Sequence, residues 1–232
     1  MEFLEVVRSL LREGKPKLAI DIDGTVADSP TATLQEYNRR LVAQGRQPYE
    51  TVLDVWYHPR FDNCSPTSQS WYKEVGPSYN HVWINRHEEI RFMGGPDFHQ
   101  TITGLRQYFD LEFLTLKKDS VTEPGVKSWL KLHSLDHIPL TILTDYSIRG
   151  KLGHKAYIDD NPKFESSVTS DQLLLLVGHL YGQKVQQRRN VHVLDNVDQA
   201  TKLLLEVSRQ VAPRRKPTFK PTPAHQRIRN VA

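Results

Sequence analysis

The chain has a single cysteine, Cys64, so it can form no internal disulfide and offers no thiolate cluster for a metal. It has no apolar run near the roughly 18 to 20 residues that a membrane-spanning helix needs. Its opening, Met1 to Val7, is amphipathic and acidic early, unlike a secretion signal. These absences point to a protein of the reducing cytoplasm with no membrane partner. Acids are also missing from residues 213–232, which carry Arg214, Arg215, Lys216, Lys220, Arg227 and Arg229. The chain's net charge of +4, less those six, leaves −2 for everything before them. The basic character therefore belongs to the tail. With Pro213, Pro217, Pro221 and Pro223 and few apolar residues, the tail is expected to be disordered. It reads first as a solvated terminus with no specific role, and otherwise as a weak electrostatic contact with nucleic acid or another anion.

What is present is patterned. With 232 residues, 38% of them hydrophobic, the chain can bury one α/β core and a small inserted unit. Apolar runs at Lys17 to Ile20, Phe109 to Leu116, Pro139 to Thr144, Lys155 to Ile158, Leu173 to Val177 and Val191 to Leu194 read as strands. Helical spacing appears at Gln100 to Tyr108, Val126 to Leu135 and Val197 to Gln210, the last capped by Asn196. This alternation predicts an α/β fold with a Rossmann-like parallel sheet. Residues 1–29 and 96–212 form the expected core, 30–95 a helical cap inserted after the first strand, and 213–232 the tail. The insert opens with a helix, Thr31 to Gln44, and is rich in aromatics: Tyr49, Trp56, Tyr57, Phe61, Trp71, Tyr72, Tyr79, Trp83 and Phe92. Most of these are expected to form the insert's own core, with two or three facing a ligand.

The first strand runs into Asp21-Ile22-Asp23-Gly24-Thr25. Two acids one residue apart share a side of the chain, and open α/β sheets bind ligands at the carboxyl edge of their strands. Asp159-Asp160 ends a later strand at the same edge. Asp28 and Asp119 read as solvated loop acids. Four converging carboxylates with no paired histidines point to Mg²⁺ rather than zinc. Magnesium held by a few carboxylates commonly shares a phosphate oxygen, so phosphoryl chemistry follows. Thr115, near a strand end, could supply a hydroxyl to that phosphate, and Lys151 a positive charge.

In the order and spacing of Asp21-x-Asp23-Gly24-Thr25, Thr115, Lys151 and Asp159-Asp160, the chain resembles the haloacid dehalogenase (HAD) superfamily of aspartyl-phosphate phosphatases over roughly residues 17–205. The insert directly after the first motif is similar to that of the 5′(3′)-deoxyribonucleotidase group. So are Val126-Lys127-Ser128-Trp129-Leu130 leading into Thr141 to Asp145, and Tyr157-Ile158-Asp159-Asp160. The resemblance implies a phosphomonoesterase acting on a small phosphate ester, a nucleotide above all, with Asp21 as nucleophile and Asp23 as acid and base. It also implies a metal site of Asp21, the backbone carbonyl of Asp23 and Asp160, with Asp159 holding a metal-bound water or orienting the lysine, and Thr115 and Lys151 binding phosphate. The chain differs from that group at two points. The group's lysine lies nine or ten residues before the acid pair, where this chain has Gly150 and Arg149, so Arg149 is the alternative cation. Thr115 is followed by Leu116-Lys117-Lys118 instead of Ser or Thr and Pro. The other readings are a phosphatase of sugar phosphates or nucleic-acid 3′ termini, and a non-catalytic binding protein on the same fold.

Overall fold

Strand β1 (Lys17–Ile20) is buried along Leu18, Ala19 and Ile20, as a central parallel strand covered on both faces should be. The computed structural model describes residues 2–52, 69–117, 120–178, 185 and 188–212. The tail from residue 213, Asp119, and Trp56, Tyr57, Phe61 and Cys64 of the insert lie outside the described residues.

Beside β1 lie β2 (Asp110–Leu116) and β4 (Ala156–Asp159), then β3 (Leu140–Leu143), β5 (Leu173–Val177) and β6 (Val191–Leu194). The six-stranded sheet has the order β3-β2-β1-β4-β5-β6, and every pairing is parallel. The expected strands are all present; β2 is trimmed by a residue at its start, β3 by one at each end, and β4 is shifted one residue on. The register sets the site. Ile20 pairs with Phe113 on one side and with Ile158 on the other. Asp21, Thr115 and Asp159 therefore reach the same edge of the sheet.

Alternation along the strands divides the core into two layers. Leu18, Ile20, Leu111, Phe113 and Ile158 face a core shared with α1 (Glu2–Arg12), α5 (Phe98–Leu105) and α7 (Val197–Val211). Ala19, Leu114, Tyr157, Leu174 and Leu176 face Phe164 and Val168 on the other side. That second layer is thin. The β3–β4 crossover carries only a 3₁₀ segment, Tyr146–Lys151, and the β4–β5 connection only another, Pro162–Ser167.

Between β1 and β2 the chain forms α2 (Ser29–Ala43), α3 (Gln69–Glu74) and α4 (Gly76–Asn85). The Asp28 carboxylate accepts from Thr31 N at 3.4 Å at the start of α2 and pairs with Arg91 at 2.7 Å. Asp28 is thus buried and structural, not a solvated loop acid, because the insert's two connections run side by side there. Asp28 N donates to Arg91 O at 2.9 Å and Met93 N to Val26 O at 2.8 Å.

Helix α6 (Glu123–Leu132) begins earlier than its apolar spacing predicts, because Pro124 suits a first helical turn. Gly125 in that turn lets α6 touch α4: a Cβ there would lie 1.7 Å from Trp83 O. Asn196 caps α7 as predicted, accepting from Gln199 N at 2.9 Å. No helix among the described residues is long and apolar enough to cross a membrane.

Candidate active site

The site starts where β1 stops pairing. Asp21 N still donates to Ile158 O at 2.9 Å, and then the chain turns back through Gly24, whose φ of 78° suits glycine. The turn is closed by the amides of Val26 and Ala27, which donate to Ile22 O at 3.1 and 2.9 Å. Asp21 and Asp23 have different partners, Asp21 the end of β4 and Asp23 the end of β2.

Asp21 joins Asp159 and Asp160. All three are buried, and one carboxylate oxygen from each lies within 4.8 Å of the others. Arg149 bridges two of them: its Nη2 lies 2.8 Å from Asp21 Oδ1 and also contacts Asp159 Oδ2. The same nitrogen donates to Leu114 O at 3.3 Å, and the guanidinium lies over the Phe164 ring, 5.1 Å from its centroid. Burial pushes Asp21 up to about 8, with the Arg149 charge opposing and the Asp159 and Asp23 charges adding to the rise. Burial also raises Asp159, again against Arg149. The three carboxylates form an all-oxygen donor set, which suits a hard divalent cation such as Mg²⁺.

Asp23 has a different environment. Its Oδ1 accepts from Ser29 Oγ at 2.6 Å and from Trp83 Nε1 at 3.0 Å. Its Oδ2 accepts from Thr115 Oγ1 at 2.9 Å and from Lys117 Nζ at 2.6 Å. Burial alone would raise Asp23, but the Lys117 charge and these hydrogen bonds outweigh it and hold the carboxyl below its usual range. Lys117 is fully enclosed. Its ammonium also touches Tyr79 OH and sits over the Tyr79 and Trp83 rings, 4.8 and 4.4 Å from their centroids. Burial, followed by the Asp23 charge, raises the Tyr79 hydroxyl well above its ordinary value.

The expected residues divide accordingly. Asp21, Asp159 and Asp160 come together, while the side chain of Asp23 belongs to a neighbouring cluster. Thr115 reaches the edge but commits its hydroxyl to Asp23. Lys151 is exposed, whereas Arg149, the alternative, is buried between Asp21 and Asp159. The physical reason is the 3₁₀ segment: at 3 residues per turn, positions two apart face different sides. Sequence reading gave no role to Lys117, yet strand alternation from Thr115 puts it on that residue's side. Of the insert's described aromatics, Tyr37, Trp71, Tyr79 and Trp83 are buried, and Tyr79 and Trp83 form the wall over Asp23.

No protein-family model and no curated protein matches the chain. Solved structures do. A predicted phosphoglycolate phosphatase from Haemophilus somnus 129PT has 15% identity and a TM-score of 0.55, covering 82% of this chain and 97% of that one. A haloacid dehalogenase-like family hydrolase from Streptococcus pneumoniae has 13% identity and a TM-score of 0.56, covering 84% and 98%. Protein tyrosine kinase A of Mycobacterium tuberculosis has 14% identity and a TM-score of 0.55, covering 82% and 98%. The fold is therefore the Rossmann-like fold of the HAD hydrolases. At such identities the likeness speaks to fold alone, and one fold hosts several activities.

Proposed function

We propose that the chain is a magnesium-dependent phosphatase of small phosphate esters, working through a covalent intermediate on Asp21. One observation carries this reading: Asp21, Asp159 and Asp160 converge in a buried cluster bridged by Arg149 at the carboxyl edge of the sheet. Similar solved structures described as phosphatases and hydrolases support it.

Asp21, Asp159 and Asp160 would hold Mg²⁺, which supplies charge neutralisation for a carboxylate meeting a phosphate. The Asp21 carboxylate attacks phosphorus, forming an acyl phosphate as the phosphorus–oxygen bond to the leaving alcohol breaks. Arg149 keeps Asp21 oriented and donates toward the phosphoryl oxygens as their charge rises. Water then attacks the acyl phosphate, releasing phosphate and restoring Asp21. Asp23, held as a carboxylate, suits the role of base toward that water. Acting first as acid toward the leaving oxygen requires Asp23 to gain a proton and give up one of its four donors. The helices of the insert, which set Trp83 and Tyr79 over Asp23, would act as a cap that excludes water and limits the leaving group.

Within this class we favour nucleoside monophosphates, because of the sequence resemblance to the deoxyribonucleotidase group. The test is release of phosphate, with and without Mg²⁺, from a panel of nucleoside monophosphates, sugar phosphates and an oligonucleotide 3′-phosphate. Turnover of sugar phosphates alone would reject the nucleotide assignment. Full activity in Asp21→Asn would reject the covalent scheme, since an amide cannot form the acyl phosphate.

A further inference from the structure

The arm that carries Arg149 is held from beneath by a residue far from it in sequence. Gln172, buried just before β5, points its side-chain amide into the loop between the 3₁₀ segment and β4. Its Nε2 donates to Gly150 O at 2.9 Å and to His154 O at 3.0 Å, and lies 3.4 Å from Tyr157 OH. Its Oε1 accepts from Thr169 N at 3.0 Å and Thr169 Oγ1 at 2.9 Å. These partners fix which end of the amide is which, since two carbonyls must face the donor. Tyr157, from β4, donates its hydroxyl to Arg149 O at 3.3 Å.

The loop has little freedom elsewhere. At its far end the His154 ring nitrogen Nε2 lies 2.8 Å from Glu112 Oε2, which ties it to β2. At its near end Gly150 passes against Ser167, whose carbonyl oxygen would be 2.8 Å from a Cβ at that position. The crossover has no full helix to brace it, so these side chains replace that support. The Arg149 backbone is anchored by Tyr157 and the next residue, Gly150, by Gln172, while the guanidinium meets Phe164 and the two aspartates.

We infer that Gln172 is a positioning residue of the active site: its single amide clamps Gly150 and His154, and so sets how far Arg149 reaches between Asp21 and Asp159. The catalytic part of this inference rests on the phosphatase reading above. Gln172→Leu keeps the volume but takes this donor from a buried carbonyl, His154 O, and a part-buried one, Gly150 O, and the arm gains room to shift. Tyr157→Phe removes one donor and keeps the ring packing.

The test has two arms, both on the full chain. In the first, turnover of p-nitrophenyl phosphate with Mg²⁺ is measured for Gln172→Leu, Arg149→Met and the double variant. Gln172→Leu should fall about 10- to 100-fold in kcat/KM, as is usual when a partner that orients a site ligand is lost. In the Arg149→Met background it should cost nothing further, because neighbours acting as one unit are non-additive. Tyr157→Phe should fall in the same direction and by less. Multiplicative losses in the double variant would overturn the inference, since they mark a general loss of fold. The second arm follows hydrogen exchange of the Arg149 side-chain Nε–H by nitrogen-15 NMR. It should quicken in Gln172→Leu, and an unchanged rate would overturn the inference. If the wild type turns over no phosphate ester, the phosphatase reading fails, and the exchange arm still decides whether Gln172 holds Arg149.

Discussion

Lys117 Nζ lies 2.6 Å from Asp23 Oδ2, and the lysine side chain is entirely buried while the aspartate keeps 14% of its surface. A buried pair is costly to form, but removing one partner strands the other. Lys117→Met should therefore destabilise the protein by about 3 to 5 kcal/mol, the usual cost of an uncompensated buried charge. The double variant Lys117→Met, Asp23→Asn should recover most of that loss. Urea unfolding of the two variants measures both effects, and wild-type stability in Lys117→Met would show that water compensates Asp23.

Asp21 gives a pH signature in the absence of divalent metal. Its folded-state value of about 8 lies above the unfolded value of 3.8, so the folded chain holds this proton more tightly. That contribution to stability is complete below the unfolded value and is lost as pH rises through the folded one. With EDTA present, wild-type Tm should fall between about pH 4 and pH 8 by this route. Asp21→Asn, which has no such proton to lose, should be the more stable at pH 8, with the gap closing toward pH 4. The reverse ordering at pH 8 would mean that Arg149 alone neutralises Asp21.

Magnesium should act on the same cluster. A cation that binds only the folded chain stabilises it by about 2.7 kcal/mol at one hundred times its Kd. Thermal unfolding should shift upward with MgCl₂ in the wild type and much less in Asp160→Asn, whose amide removes one anionic ligand from the three. Equal shifts in both proteins would place the cation elsewhere. Treatment with EDTA should abolish turnover and added Mg²⁺ restore it.

The strands and the acid pairs were readable because they depend on local pattern. Burial on both faces makes β1 and β5 unbroken apolar runs, and a paired Asp at a strand end stands out against them. The cations were harder to read. Lys151 and Arg149 sit two residues apart, and only the 3₁₀ geometry of their segment decides which turns inward. Lys117 follows its strand, and only alternation from Thr115 hints that it turns inward. Its partners Tyr79 and Trp83 lie 38 and 34 residues earlier (117 less 79, and 117 less 83), on a helix whose placement depends on tertiary packing. Gln172 was invisible for the same reason: its role is to hold two backbone carbonyls, which have no sequence identity.

Gly125 makes the contact between α4 and α6 a fit of main chain against main chain. With no side chain there, the two backbones meet directly at Trp83 O. Trp83 is also the residue that donates to Asp23, so the depth of that seam helps set where the donor stands. Gly125→Ala would act as a wedge one carbon thick. It should push Trp83 away from Asp23, which near-ultraviolet circular dichroism of the tryptophans would register, and an unchanged spectrum in a folded variant would show that α6 yields instead. The insert's hold on Asp23 would then depend on a glycine from α6, one helix removed from that carboxylate.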